Sequence, residues 1–390
     1  MRSPSAAADR AREWIHTYTR DLSREDFERL FTDDTRDAYT FFARGLAEDE
    51  LAGMSGWKRA ALRFRQVFVA FTLKLPAARR AVYFVALTIA LIGLMQLFRG
   101  FAPVVIPLGL PLFQITLPLP VWAEGTFLLM VSLVLVNLLV LLEVAERLSL
   151  KGELEVAREI QLALLPRGTF TSFDVEISGF TKPANTVGGD FYDVLPQADG
   201  GIVLTLGDVA GKGSPAALLM ALLLAAFRTL VEERLSPPAL VARLNVQICR
   251  HSPASRFITL VYTVYEPSTG RLTYVNAGQN PPLIRRRNGR FERLAGTGIA
   301  LGLFEQSEYG AVETSLDPGD LLVFYSDGIT EAEDPEGRPF EESGLESVIE
   351  RCADRPASEI GTEVLGAVQA HARRARFADD LTILVLKRRA

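Results

Sequence analysis

The sequence predicts an α+β domain of two layered antiparallel sheets with helices outside them, attached to a membrane region of two helices. Three observations carry this expectation. Beyond Pro166 the chain turns into runs rich in Val, Ile, Thr, Tyr and Phe, interrupted by pairs of helical segments. Upstream, two uncharged apolar runs occupy 81–98 and 126–142, each close to the ~20 residues that span hydrocarbon. Four aspartates stand at the ends of strand-like runs beside glycine or polar turns: Asp190, Asp208, Asp327 and one of Asp379 and Asp380.

Composition sets the outer limits. The chain has 390 residues, 48% hydrophobic, and a mean hydropathy of +0.17, which is high for a purely soluble protein. The net charge of -5 hides an acid-free stretch between Glu50 and Glu124 that holds Lys58, Arg59, Arg63, Arg65, Lys74, Arg79 and Arg80. Basic charge therefore collects where lipid headgroups could use it. Cys249 and Cys352 are the two cysteines. They exclude a disulfide framework and fit a reducing compartment. No nucleic-acid partner is expected, and the charged first fifty residues do not read as a signal peptide.

Residues 1–50 read as short polar helices. From Trp57 to Leu75 basic residues interleave with Phe64, Val67, Phe68 and Phe71, as in a helix lying in the cytoplasmic interface or, equally, an ordinary core helix. The excess of basic charge before 81 puts the N-terminus in the cytoplasm, and two crossings return the remainder there. Pro103, Pro107, Pro111, Pro118 and Pro120 in the connecting loop argue against a third spanning helix. At 143–166 the chain becomes charged and amphipathic. Leu150, Leu154, Ala157, Gln161 and Leu164 follow a 4-3-4-3 spacing, which suits a short coiled-coil seam and homodimer or a plain helix packed on the next domain.

In that domain strands are predicted at 173–181, 191–195, 201–208, 256–266, 271–277, 281–286, 312–316, 320–326 and 381–387, and helices at 214–235, 237–250, 343–353 and 357–374. The turn Pro267-Ser268-Thr269-Gly270 makes a hairpin. The run from Ser214 is apolar only as far as Arg228 and reads as a buried core helix rather than a third span. One aspartate at a turn is ordinarily a cap. Several together, with no His or Cys near them, point to an oxygen-ligated hard cation. His16, His251 and His371 lie outside these motifs, and Gly207 to Gly213 has the wrong spacing for a Walker loop.

The segments Val187-Gly188-Gly189-Asp190-Phe191-Tyr192-Asp193, Gly207-Asp208-Val209-Ala210-Gly211-Lys212-Gly213, Asn276-Ala277-Gly278, Tyr325-Ser326-Asp327-Gly328 and Asp379-Asp380-Leu381-Thr382 resemble, in order, the SpoIIE/RsbU-type branch of the PPM metal-dependent serine/threonine phosphatases. Ala157-Arg158-Glu159-Ile160-Gln161 resembles the helix that precedes the domain in that branch. The resemblance covers about 153–387 and implies a β-sandwich flanked by helices, with two Mg²⁺ or Mn²⁺ ions at one end. It implies that Asp190, Asp208, Asp327 and Asp379 are the metal-binding and catalytic carboxylates, Asp208 bridging, with the Val209 carbonyl as a further ligand and Asp380 in support. It also implies hydrolysis by a metal-activated water without a phosphoenzyme, acting on a phosphorylated STAS-domain protein in a partner-switching pathway. The expected organisation is a cytoplasmic helical region at 1–80, a membrane region at 81–142 in the bacterial inner membrane, a linker helix at 143–166 and a phosphatase domain at 167–390. Gln279 departs from the pattern by standing where the family commonly has histidine. A degenerate, non-catalytic scaffold that binds phosphorylated partners is the competing reading.

Overall fold

The computed structural model describes Trp57, Phe68, Thr72 and residues 75–389 except 99–100, 108–113, 121, 167, 173, 254–255 and 374–376. The expectations for 1–50, and for most of 57–75, lie outside the described residues. The chain divides into two units, Met1–Arg147 and Leu148–Ala390.

In the first unit, helix α1 (Ala77–Phe98) is followed by strands β1 (Phe101–Pro107) and β2 (Gln114–Pro120) and by the start of helix α2 (Trp122–Leu164), whose residues from Leu148 on belong to the second unit. Where the prolines argued only against a helix, the chain forms an antiparallel β-ribbon. The charge change at Glu143 alters the surroundings of α2 but does not end it, because Glu, Ala, Arg and Leu all sustain a helix. Two glycines let α1 and α2 touch. A Cβ on Gly93 would lie 2.9 Å from the Gly125 carbonyl oxygen, and one on Gly125 would lie 2.8 Å from that of Gly93. Ser132 Oγ donates to the Ala86 carbonyl at 2.8 Å, and Arg79 reaches Glu143 at 3.0 Å and Glu146 at 2.6 Å. The outer faces carry exposed Phe84, Leu91, Met95, Phe127, Leu133 and Leu141.

The second unit is a four-layer α-β-β-α sandwich. One sheet contains β3 (Thr169–Thr171), β4 (Val175–Lys182), β9 (Leu283–Arg285), β10 (Phe291–Arg293), β12 (Leu321–Tyr325) and β13 (Leu381–Arg388) in the order β10-β9-β12-β13-β4-β3. The other contains β5 (Phe191–Pro196), β6 (Ile202–Val209), β7 (Ile258–Glu266), β8 (Arg271–Ala277) and β11 (Val312–Ser315) in the order β11-β8-β7-β6-β5. Helices α3 (Ser214–Glu232) and α4 (Pro237–His251) cover the five-stranded sheet. A short α5 (Asp327–Thr330) follows β12, and α6 (Glu341–Cys352) and α7 (Ala357–His371) cover the six-stranded sheet.

Period-two alternation builds the layers. In β12, Leu322 and Phe324 join the core that also holds Leu206, Leu223 and Phe227, whereas Leu321, Val323 and Tyr325 face the core under α6 and α7 with Ile360 and Val364. Strand β13 splits likewise, Leu384 and Leu386 one way and Ile383 and Val385 the other. Helix α3 buries Ala216, Met220, Leu223, Leu224 and Phe227 completely, which makes it the predicted core helix despite its apolar length.

Candidate metal centre

Topology brings the predicted aspartates to one end of the sandwich. Phe191 pairs with Gly207, so Asp190, just before β5, and Asp208, near the end of β6, stand on neighbouring strands at the same edge. Tyr325 pairs with Ile383 across β12 and β13. This sets Asp327, which opens α5, beside Asp379 and Asp380, which precede β13.

The motif glycines keep the space at this edge clear. A Cβ on Gly189 would lie 2.8 Å from Asp208 Oδ1 and 2.8 Å from the Val209 carbonyl oxygen, and one on Gly188 would overlap Asp380 Oδ2. Beyond Val209 the chain turns at Gly211, with φ +105°, over the Arg256 guanidinium, which donates to the Ala210 carbonyl at 2.5 Å. The turn that follows Asp208 is therefore seated on a cation and leads directly into α3.

The carboxylates repel one another. Burial, with the Asp208 charge second, raises the Asp190 carboxyl well above its ordinary value. Burial, then Asp327 and Asp379, push Asp208 up to about 6, and burial followed by Asp379 raises Asp327. Asp190 is 3% exposed, and its Oδ2 is buried with no hydrogen-bond partner. A buried, unpartnered carboxylate oxygen among like charges, ringed by oxygen donors only, fits a hard divalent cation. The donors are nonetheless not drawn together: among the described residues no three His, Cys, Asp or Glu side chains gather as a metal-ligand cluster. The Lys212 ammonium sits 2.9 Å from Asp379 Oδ2 and also donates to the Ala378 carbonyl. Its hydrogen bond to Asp379 raises its pKa.

Asp380 is a brace. It accepts from the Ala184 and Gly189 amides at 2.7 Å each, and from the Asp190 amide at 3.4 Å. Gln279, 8% exposed, accepts from Thr259 Oγ1 and donates to the Tyr325 carbonyl at 3.4 Å. Thr259 pairs with Asp208, so this amide ties together the strand ends that carry Asp208 and Asp327.

Two contacts were missed from sequence. Gln161 is buried, donates to the Gly188 carbonyl at 2.7 Å and accepts from the Gly188 amide at 3.1 Å. Asp193, the second acid of its motif, is no neighbour of the centre. It pairs with Arg228 Nε at 2.7 Å, and the same guanidinium donates to the Leu164 carbonyl at 2.6 Å. The signal for the first was a glutamine in an otherwise apolar stripe. Of that stripe, Leu164 packs against the domain core and Leu154 and Ala157 are half-buried, whereas Leu150 is exposed; together with Ala217 and Leu218 of α3 they border a cleft of about 540 Å³.

The family described as Stage II sporulation protein E (SpoIIE) matches residues 198–389. The phosphoserine phosphatase RsbU of Bacillus subtilis is 29% identical over 241 residues, covering 62% of this chain and 71% of RsbU. The structure of the RsbU and RsbW domains of a Mycobacterium tuberculosis protein superposes with a TM-score of 0.50 at 26% identity, over 56% of this chain and 60% of that one. The SiaA-PP2C domain of Pseudomonas aeruginosa superposes with a TM-score of 0.55 at 22% identity, over 62% of this chain and 98% of the domain. With the sandwich and its aspartate-lined edge, these matches establish that the C-terminal domain belongs to the SpoIIE/RsbU-type branch of the PPM serine/threonine phosphatases.

Proposed function

We propose that the chain is a membrane-anchored phosphatase that removes phosphate from serine or threonine of a STAS-domain regulatory partner, in the cytoplasm of a bacterium. The observation that carries this reading is the placement of Asp190, Asp208, Asp327 and Asp379 along one sandwich edge, near enough to raise one another's pKa, with Asp190 Oδ2 left unpartnered. In this reading those four carboxylates and the Val209 carbonyl hold two Mg²⁺ or Mn²⁺ ions. When bound, such ions supply the Lewis acidity that ionises a water near neutral pH and neutralises charge on a phosphoryl group. The chain's own contribution is positional. Asp380 fixes the backbone that presents Asp190, Gln279 ties the Asp208 and Asp327 strand ends, and Lys212 must leave Asp379 as a cation arrives.

Anchoring rests on α1 and the first half of α2, which are long and apolar enough to cross a membrane and have Arg79 and Arg80 at one end. A homodimer through the linker helix would use its exposed Leu148, Val156 and Ile160, with Leu218 and Leu222 of α3. The test of the main reading is phosphate release from a phosphorylated STAS protein by full-length protein in detergent with Mn²⁺. Turnover is expected for the wild type and none for Asp208→Ala; full turnover by the variant, or none by the wild type at saturating metal, refutes it.

The Lys212–Asp379 pair favours a second reading, a scaffold whose own lysine has replaced the metal. Calorimetric titration with Mn²⁺ separates the two, since a scaffold takes up no paired ions.

A further inference from the structure

The ribbon between α1 and α2 has a sequence pattern that an ordinary loop does not need. From Gly100 to Ala123 there is no Asp, Glu, Lys or Arg. Both ends are short tethers, since β1 starts at Phe101 after α1 ends at Phe98, and α2 starts at Trp122 after β2 ends at Pro120. In the pairing, Phe101 lies opposite Pro120, Pro103 opposite Pro118, Val105 opposite Thr116 and Pro107 opposite Gln114. Two prolines facing each other cannot be a hydrogen-bonded pair, because neither has an N–H. By period two, every pair in this set is then a non-hydrogen-bonded one, whose amides point away from the ribbon. All four strand prolines fall in the set, so half of the outward amide positions carry no donor.

The same alternation of register sorts the positions by face. Ala102, Val104 and Ile106 stand at positions of one face with Ile115, Leu117 and Leu119, all aliphatic residues; the other face takes the proline positions with Phe101, Val105, Gln114 and Thr116. We propose that this ribbon docks on lipid, lying flat in the bilayer interface where α1 and α2 are joined, its aliphatic face toward the acyl chains. The proposal rests on the membrane-anchored reading above.

Other placements fit less well. In water an isolated two-stranded ribbon is marginal, and this one has no charge to solvate it. Its strands, of 7 residues each, are shorter than the roughly 9–11 residues of a spanning strand, and open sheet edges do not occur in hydrocarbon. Edge-to-edge pairing with a second copy needs the donors that the prolines remove. The interface accepts the remaining outward amides while taking the aliphatic face.

The test uses full-length protein with Cys249→Ser and Cys352→Ala, reconstituted in phosphatidylcholine and phosphatidylglycerol vesicles. Single cysteines at Leu117→Cys, Thr116→Cys and, as a membrane-helix control, Leu133→Cys carry an environment-sensitive fluorophore. Expected are a blue-shifted Leu117 probe quenched by lipids brominated high on the acyl chain and shielded from iodide, and a Thr116 probe open to iodide. Equal iodide access at both ribbon positions, with the Leu133 probe quenched by bromolipid, overturns the proposal and leaves anchoring intact. A Leu133 probe untouched by bromolipid overturns anchoring itself. Shielding at Leu117 that disappears on diluting protein in lipid, without bromolipid quenching, overturns lipid docking in favour of a second copy.

Discussion

Replacing Asp208 by asparagine should stabilise the metal-free protein while abolishing its response to metal. Burial and the charges of Asp327 and Asp379 push the Asp208 carboxyl up to about 6, against an ordinary 3.8. Holding it ionised in the folded state therefore costs about 2 to 3 kcal/mol at neutral pH. The folded-state value lies above the unfolded one, so the cost is absent below about pH 4, where both states hold the proton. It grows as pH rises and is complete above about pH 6. An amide carries no charge and avoids the cost. In chelator at pH 7.5, Asp208→Asn should unfold about 4 to 12 °C above the wild type, given roughly 2–4 °C per kcal/mol for a domain of this size. The gap should shrink steadily toward pH 4.5. Added Mn²⁺ should raise the wild-type midpoint and leave that of the variant in place. Thermal unfolding of the full chain in detergent, followed by differential scanning calorimetry with and without chelator, reads all of these; the three tryptophans all lie upstream of the domain and would not report it. A variant less stable than the wild type in chelator at pH 7.5, or a gap independent of pH, would show that the carboxylates do not repel as described.

Other perturbations probe the surroundings of the centre. Lys212→Met removes a cation that competes for Asp379. Because both groups are about half exposed, the pair is worth at most about 1 kcal/mol, so Mn²⁺ binding by calorimetry should tighten only a few-fold, and a loosening would overturn the competition. Gln161→Leu strands the buried Gly188 amide and carbonyl. It should cost about 1–3 kcal/mol in denaturant unfolding and weaken Mn²⁺ binding, whereas an effect on neither would make the contact incidental. Gln279→His should leave the pH profile of phosphate release unchanged if the side chain only ties strand ends, and Gln279→Ala should lower the rate. A new titrating limb near pH 6.5 in the histidine variant, with the alanine variant unaffected, would assign the position to proton transfer instead.

Most of the sandwich was legible because its strands are short apolar runs rich in β-branched and aromatic residues and bounded by turns. The predicted 191–195, 201–208 and 381–387 differ by about a residue from β5, β6 and β13, and β6 and β13 are buried on both faces. The strands missed, β3 and β10, have 3 residues each, too few for a pattern to register. The ribbon at β1 and β2 escaped for another reason. Proline is read as a strand breaker, and only the pairing register shows that each one sits where no ladder hydrogen bond is lost. At the centre, strand-end aspartates beside glycines could be recognised as candidates. What separates Asp190 from Asp193 could not: the acids lie three positions apart in one motif, and it is the approach of Arg228 from α3 that claims the second. The Asp380 brace was likewise beyond reach, since its amide partners lie nearly two hundred residues upstream.

These contacts meet at Gly188 and Gly189, and they decide what positions Asp190. The amides of this loop are not taken by a strand. Gly188 is satisfied by Gln161 of α2, and Gly189 by Asp380 at the start of β13. The backbone that presents Asp190 is thus defined by side chains from two separate segments, one of them a helix that ends just before the domain begins. Release of that helix would free the Gly188 amide and carbonyl and the Leu164 carbonyl held by Arg228. It would also expose Leu154 and Leu164. At about 1 kcal/mol for each hydrogen bond, and somewhat more for one to a guanidinium, the docked state is favoured by a few kcal/mol. That is large enough to define the Asp190 loop in the resting protein and within the usual range of coupling between two sites. The Gln161 contact therefore gives this helix a direct route to one carboxylate of the centre.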